Sequence, residues 1–333
     1  MKILVTGATG FLGRRLVRRL SEAGHDCRCL VRPSSDVGGL SELQGVKFFT
    51  GDITKPGSLA GIEAGIEVVF HLAARMGHVG AFSATREQWE QFRRLNVEGL
   101  RNVADRFVES PPRKFIYISS TAAMGLVADL AADETTPLRP KTPYQCSKAE
   151  AEELLRTYFV EKKLPIIILR PSVFYGPGMV GDLYRLAKFA KKGLLPHLGW
   201  GKNLSPLMHV DDLVEACLLA MEQGRSGETY IITSARAYEM RELTQALKAA
   251  LQVKPREFTV PVSAALAVAF LAEVGFRLFG IKPVITLESV RSIATDRQFS
   301  IAKAQRELGF VPKRGLEECV KDSVAWLREQ KLI

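Results

Sequence analysis

The chain has 333 residues, 47% of them hydrophobic and 25% charged, which fits a folded globular protein with an ample core. Its formal net charge is +10, which suits phosphate-bearing ligands or an anionic membrane surface. No helix-turn-helix, zinc or RNA-binding signature accompanies that charge, so nucleic acid is not an expected partner.

The five cysteines, Cys27, Cys29, Cys146, Cys217 and Cys319, follow no disulfide or metal framework, which fits a reducing compartment. The histidines His25, His71, His78, His197 and His209 show no ligand spacing, so no metal is expected. The first residues enter a strand pattern without the layout of a signal peptide, and the expected location is the cytoplasm.

Seven short apolar runs alternate with helical patterns. The strand candidates are Lys2–Thr6, Asp26–Val31, Val46–Thr50, Glu67–His71, Lys114–Ser119, Pro165–Arg170 and Glu228–Thr233. Helices are expected near Phe11–Ala23, Arg86–Glu109, Pro143–Lys162 and Asp211–Gln223. This alternation predicts an α/β protein, a doubly wound parallel sheet of Rossmann type with a smaller, mainly helical C-terminal domain. Residues 1–175 and about 205–235 would form the dinucleotide-binding domain. About 176–204 and 236–333 would bind substrate. Ligands of such sheets lie beyond the carboxyl ends of the strands, so chemistry is expected just after each run.

After the first run comes Thr6-Gly7-Ala8-Thr9-Gly10-Phe11-Leu12-Gly13. Gly7 and Gly10 allow a sharp turn near an anion, Gly13 allows the helix to pack on the strand, and the helix N-terminus favours negative charge. Thr9, Phe11 and Leu12 complete this loop. After the second run stands Arg32, followed by Ser34 and Ser35, with no carboxylate before Asp36. A carboxylate there would accept bonds from ribose hydroxyls, whereas a cation suits a 2′-phosphate; NADP(H) is therefore favoured over NAD(H). Asp52 and Ile53 follow the third run, with Asp52 a candidate for the adenine amino group. Ala73 and Ala74 follow the fourth and are small enough to pass a ribose.

Tyr144 and Lys148 lie four apart on the helix opened by Pro143, so they share a face. The lysine ammonium favours the phenolate, lowering a phenol whose ordinary pKa is about 10. Ser119-Ser120-Thr121 ends the preceding strand, where a hydroxyl can polarise a carbonyl.

These motifs, with Asn-Val-x-Gly at 96–99, Leu-Arg-Pro at 169–171, Tyr-Gly-Pro-Gly at 175–178 and His-Val-Asp-Asp at 209–212, together resemble an extended short-chain dehydrogenase/reductase. The resemblance runs from Met1 to about Leu327. It implies Tyr144 as general acid/base, Lys148 as its activator and ribose anchor, and Ser120 as the hydroxyl on the reacting oxygen. It also implies Asn96 as a shaper of the coenzyme pocket, and Pro171 and Val173 beside the carboxamide.

Nucleotide-sugar members of that superfamily carry an arginine shortly before Val-Asp-Asp; here Ser205 and Pro206 stand in its place. Further on, Leu266–Leu278 is apolar apart from Glu273 and Arg277, which lie four apart and mark one narrow polar stripe. It is too short to span a bilayer. Three roles are open for it: a buried helix or homodimer contact, the wall of an apolar pocket, or peripheral contact with a membrane. Ser300 as an N-cap and Gly309 as a helix stop follow, a layout similar to the 3β-hydroxysteroid dehydrogenase-like and sterol C4-dehydrogenase branch. The expected activity is an NADP(H)-dependent interconversion of a secondary alcohol and a ketone on an apolar, sterol- or terpenoid-like small molecule. The alternatives are a nucleotide-sugar epimerase or dehydratase, and a non-catalytic NADP-sensing module.

Overall fold

The structure is a computed structural model that describes residues 1–77, 80–127, 132–279 and 285–333, without the side chains of 277 and 279. His78 and the side chains of Arg277 and Phe279 thus lie outside the described residues. The seven expected runs form β1 (Lys2–Thr6), β2 (Asp26–Val31), β3 (Val46–Thr50), β4 (Val68–His71), β5 (Lys114–Ile118), β6 (Ile166–Pro171) and β7 (Thr229–Ile232). They pair in parallel as one sheet, in the order β7-β6-β5-β4-β1-β2-β3. The order reverses between β1 and β4, which opens a crevice at the carboxyl ends of those strands. β4 and β6 are buried on both faces, which is why they read as unbroken apolar runs.

Helices α1 (Phe11–Glu22), α2 (Arg86–Arg93), α3 (Gly99–Asp105), α4 (Pro143–Lys162), α5 (Asp182–Lys191) and α6 (Val210–Gln223) follow in chain order. One face of the sheet packs Leu16, Leu20, Leu213 and Cys217 against Ile3, Cys27 and Cys29. The other packs Leu100, Phe107 and Leu155 against Leu4, Val69 and Phe115. Cys27 and Cys29 are packing residues, and all five cysteines are free.

The helix expected over 86–109 is interrupted. A π turn at Arg94–Glu98 joins α2 to α3, and Asp105 ends the pair. Asn96 sits inside that turn and is 1% exposed, with its amide committed to groups outside the helix. Such turns re-aim a side chain at a site.

The C-terminal portion is mainly helical: α7 (Met240–Leu251), α8 (Val262–Phe279), α9 (Leu287–Ala294), α10 (Ala302–Leu308) and α11 (Leu316–Glu329). Three small strand pairs stand apart from the main sheet. Val173–Tyr175 runs beside Leu207–His209, Leu204–Ser205 beside Tyr238–Glu239, and Leu194–Leu198 beside Arg256–Val260. No described helix is long and apolar enough to cross a membrane.

Of the polar stripe expected on α8, Glu273 is described and faces inward. Glu273 is fully buried, and its Oε1 accepts the Leu287 N–H at 2.8 Å, fixing the start of α9. Val268, Phe270, Leu271 and Leu278 are the large apolar side chains exposed on the described part of α8. Ala265 and Ala269 pack with Leu198, Val260 and Val290.

Candidate active site

The loop from β1 into α1 is shaped by missing side chains. Gly7 has φ +71°, and a Cβ there would stand 2.8 Å from the Ala73 nitrogen. A Cβ on Gly13 would stand 2.1 Å from the Gly7 carbonyl oxygen, so α1 could not start so close to the turn. Gly10 is the N-cap of α1 and offers no side-chain cap, which leaves the first-turn N–H groups facing the crevice. This cradle fits the pyrophosphate of a dinucleotide. Thr6 clamps it from below: its hydroxyl accepts the Ala73 N–H at 3.2 Å and lies 3.2 Å from His71 Nδ1. Burial holds His71 neutral, its pKa pushed down to about 3.

The rest of the loop is fixed from outside. Arg15 donates to Asp211 Oδ1 at 2.6 Å and to the Pro177 carbonyl at 2.8 Å. Phe11 stacks on Phe174, with ring centroids 5.8 Å apart. Leu12 packs into the core, and the Thr9 carbonyl accepts from Arg14 Nε at 3.1 Å. The glycine turn, the Tyr-Gly-Pro-Gly turn and the His-Val-Asp-Asp stretch therefore meet at one point. His209 there is the N-cap of α6, its Nδ1 accepting from Asp211 N–H at 3.1 Å.

Arg32 lies exposed at the end of β2, and its guanidinium makes no hydrogen bond to a described residue. Its backbone N–H donates to Ser35 Oγ at 3.0 Å. Arg14, which the sequence reading passed over, holds the adjoining loop through the Asp36 and Gly38 carbonyls and Asp36 Oδ2. Asp52 caps its own turn: Thr54 N–H and Oγ1 donate to Oδ1 at 2.9 and 2.8 Å, which holds the carboxyl below its usual range. Ile53 packs where Gly99 has no Cβ, and its carbonyl accepts from Asn102 Nδ2 at 2.8 Å. Ala74 is half-buried on the β4 side of the crevice.

Asn96 spans the middle of the site. It accepts the Arg75 N–H at 2.7 Å and donates to the Arg75 carbonyl at 3.1 Å and to Ser147 Oγ at 2.8 Å. It thus ties the segment after β4 to the first turn of α4. That turn is set by Thr142 and Gln145 in a capping box with Pro143 at the start.

Tyr144 is half-buried, packs edge-on to Phe92, and hydrogen-bonds Ser120. Ser120 Oγ accepts the Ala122 N–H at 3.1 Å, which holds the hydroxyl at the start of the turn after β5. Burial raises the Tyr144 pKa, and the Ser120 hydrogen bond opposes that rise. Sequence reasoning has Lys148 pulling this phenol down. In the structure Lys148 Nζ instead donates to Tyr117 Oη at 3.1 Å and to the Ile118 carbonyl at 2.8 Å. Burial pushes its ammonium down to about 7, while the Glu152 carboxylate raises it.

Glu152, Arg170 and Tyr117 are supports that sequence reasoning missed. Glu152 accepts from Ser119 Oγ at 2.6 Å and from Arg170 NH2 at 2.6 Å, with both side chains buried. The four-residue step from Lys148 to Glu152 on α4 was the available signal. Pro171 ends β6 in the core, Ser172 N–H donates to the Ile232 carbonyl at 3.0 Å, and Val173 begins the strand paired with Leu207–His209. Among the described residues no cluster could hold a metal ion.

The arrangement is a dinucleotide crevice with a hydroxyl pair, Ser120 and Tyr144, at its mouth. Residues 3–233 match the pattern of the NAD dependent epimerase/dehydratase family. The chain is 29% identical to a 2-alkyl-3-oxoalkanoate reductase of Stenotrophomonas maltophilia, covering 96% of this chain and 97% of the relative. It is also 29% identical to an Arabidopsis thaliana 3beta-hydroxysteroid-dehydrogenase/decarboxylase, covering 98% of this chain and 80% of the relative. Among solved structures, gox2253 superposes with TM-score 0.83 at 34% identity, covering 99% of each chain. A UDP-glucuronic acid 4-epimerase from Bacillus cereus in complex with NAD shares the fold, with TM-score 0.81 at 20% identity and 99% of each chain covered. With more than half of its length matched, the chain belongs to the NAD dependent epimerase/dehydratase family.

Proposed function

We propose that the protein is an NADP(H)-preferring oxidoreductase that interconverts a secondary alcohol and a ketone on an apolar, sterol- or terpenoid-like substrate. The observation that carries this reading is the Ser120–Tyr144 hydroxyl pair at the mouth of the crevice, one helical turn from buried Lys148. The reductase and 3β-hydroxysteroid dehydrogenase activities named for two full-length relatives support it. Gly7, Gly10 and Gly13 would take the pyrophosphate, Arg32 and Ser35 the 2′-phosphate, and Asp52 and Ile53 the adenine edge. Ala73, Ala74 and Asn96 would border the ribose, and Pro171 and Val173 the carboxamide. The coenzyme, when bound, supplies or accepts the hydride.

In reduction, Tyr144 donates its phenolic proton to the carbonyl oxygen while Ser120 hydrogen-bonds the same oxygen. A phenol raised by burial stays protonated at neutral pH, which suits this direction. In oxidation Tyr144 must lose that proton first, so kcat/KM should climb with pH through the neutral range. Lys148, held against β5 by Tyr117 Oη and the Ile118 carbonyl, would orient the ribose hydroxyls.

The test is a screen of nicotinamide absorbance with ketosteroids, aryl ketones and nucleotide sugars, using both coenzymes. A bulky ketone should consume NADPH, whereas an epimerase acting on a nucleotide sugar gives no net change. Tyr144→Phe should lower turnover by about 10²–10⁴-fold with coenzyme still bound. Undiminished activity of that variant would remove the enzymatic reading and leave a coenzyme-sensing module.

A further inference from the structure

Arg297 lies in the segment between α9 and α10 and has no role in the site described so far. Its backbone N–H donates to the Leu204 carbonyl at 3.1 Å, and the neighbouring Asp296 Oδ1 accepts the Leu204 N–H at 2.7 Å. The segment is therefore bonded along Leu204–Ser205, the stretch where nucleotide-sugar members of the resembled superfamily carry an arginine and this chain does not. A guanidinium reaches the same part of the fold from a different place in the sequence.

Its surroundings link it, through Glu288 and Gln145, to the helix that carries Tyr144. Arg297 interacts electrostatically with Tyr175, at the end of the strand Val173–Tyr175, and with Glu288, near the start of α9. Glu288 Oε1 accepts from Gln145 Nε2 at 3.1 Å, and Gln145 directly follows Tyr144 on α4. The cation is thus framed by the helix that carries the phenol and the strand that begins at Val173. Two residues on, Phe299 joins an apolar cluster with Met124, Val127 and Leu138.

The side chain is also incomplete as a structural element. No carboxylate of a described residue lies within ion-pair distance, 4.0 Å, of its guanidinium. Its Nε is buried with no partner. Burial pushes its pKa down, with Tyr175 and then Glu288 only opposing that shift. Enclosing a cation without a counter-charge is unfavourable, and such groups mark ligand sites. Arg170, fully buried where Arg297 is half-buried, has Glu152 at 2.6 Å.

We propose that Arg297 binds a carboxylate of the substrate, so that the compound turned over is an apolar oxo or hydroxy acid rather than a neutral ketone or alcohol. This rests on the oxidoreductase reading above. The redox step itself is unchanged: oxidation sends the hydride from the carbinol carbon to the coenzyme and the hydroxyl proton to Tyr144. The carboxylate stays intact and serves as the handle that sets the carbinol against Ser120 and Tyr144.

The experiment compares a long-chain 3-hydroxy acid with its methyl ester, each oxidised with NADP⁺ and with NAD⁺. A charge-assisted guanidinium–carboxylate contact should favour the acid by roughly 10- to 100-fold in kcat/KM. Arg297→Met should bring the acid-to-ester ratio towards one, chiefly through KM for the acid. Arg297→Lys should retain part of the preference, and it carries the test if Arg297→Met does not fold. A wild-type ratio near one, or a ratio left unchanged in both variants, overturns the carboxylate site while turnover of the ester keeps the oxidoreductase reading. Turnover of neither compound by coenzyme-bound protein overturns both. Inhibition by UDP that is lost in Arg297→Met, without an acid preference, assigns the cation to a diphosphate and overturns the carboxylate.

Discussion

Glu152 and Glu273 are both fully buried carboxylates on long helices, and the two halves of the molecule treat them differently. Glu152, on the sheet side, is saturated: Ser119, Arg156 and Arg170 all donate to it. Glu273, on α8, has one backbone N–H on Oε1 and no partner on its buried Oε2. The same contrast holds for the arginines, Arg170 paired and Arg297 not. The sheet side is not free of open atoms, since His71 Nε2, Arg170 Nη1 and His209 Nε2 are buried without a partner, but each of those side chains is held through another atom. In the C-terminal portion Glu273 Oε2 and Arg297 Nε are the open atoms, and neither side chain has an ion pair among the described residues.

The largest effect should come from breaking the closed side. Glu152→Gln leaves Arg170 buried without its counter-charge, a loss of about 3–5 kcal/mol in unfolding free energy. Glu273→Gln keeps an oxygen for Leu287 N–H and should lose about 1 kcal/mol or less. Equal losses in denaturant titrations would erase the distinction.

Acid should probe the same side. His71 is neutral when folded, with a pKa near 3 against about 6.5 in an unfolded chain. Below pH ~6.5 the unfolded chain takes up a proton that the folded one refuses, so this residue's share of stability falls, by a few kcal/mol, as pH drops towards 3. A His71→Asn variant that folds should show a shallower decline of Tm over that window.

Arg32→Asp tests the exposed rim of the crevice. It should weaken NADP by roughly 10- to 100-fold more than NAD, the worth of one charge-assisted contact to a phosphate. Equal weakening in a fluorescence titration would remove the phosphate role. The smallest effect belongs to the open side: Leu271→Ser, at an exposed site on α8, should change stability by less than about 0.5 kcal/mol. A larger loss in Tm would mean that a homodimer covers this face.

Much of the closed side is legible in sequence. The seven strands sit where the apolar runs place them, and Gly7, Gly13, Asn96 and Pro143 take up positions their motifs announce. Both follow from local rules, a buried parallel strand and a loop that excludes Cβ atoms. The π turn at Arg94–Glu98 could not be read, because it depends on Asn96 meeting Arg75 and Ser147 across the fold. The pairing of Glu152 with Arg170 crosses from helix to strand. The facing of α8 stayed open for a plainer reason: a helix apolar nearly all round gives no direction, and a narrow polar stripe does not say whether it meets water or protein.

Gly10 carries one further consequence. A helix whose N-cap has no side chain to offer keeps its first amide protons unprotected. Those of Phe11, Leu12 and Gly13 should exchange with deuterated solvent faster than amides one turn later, then slow together once a phosphate takes their place. The opening turn of α1 is thus a built-in, label-free gauge of coenzyme occupancy, readable by mass spectrometry with no substrate in hand.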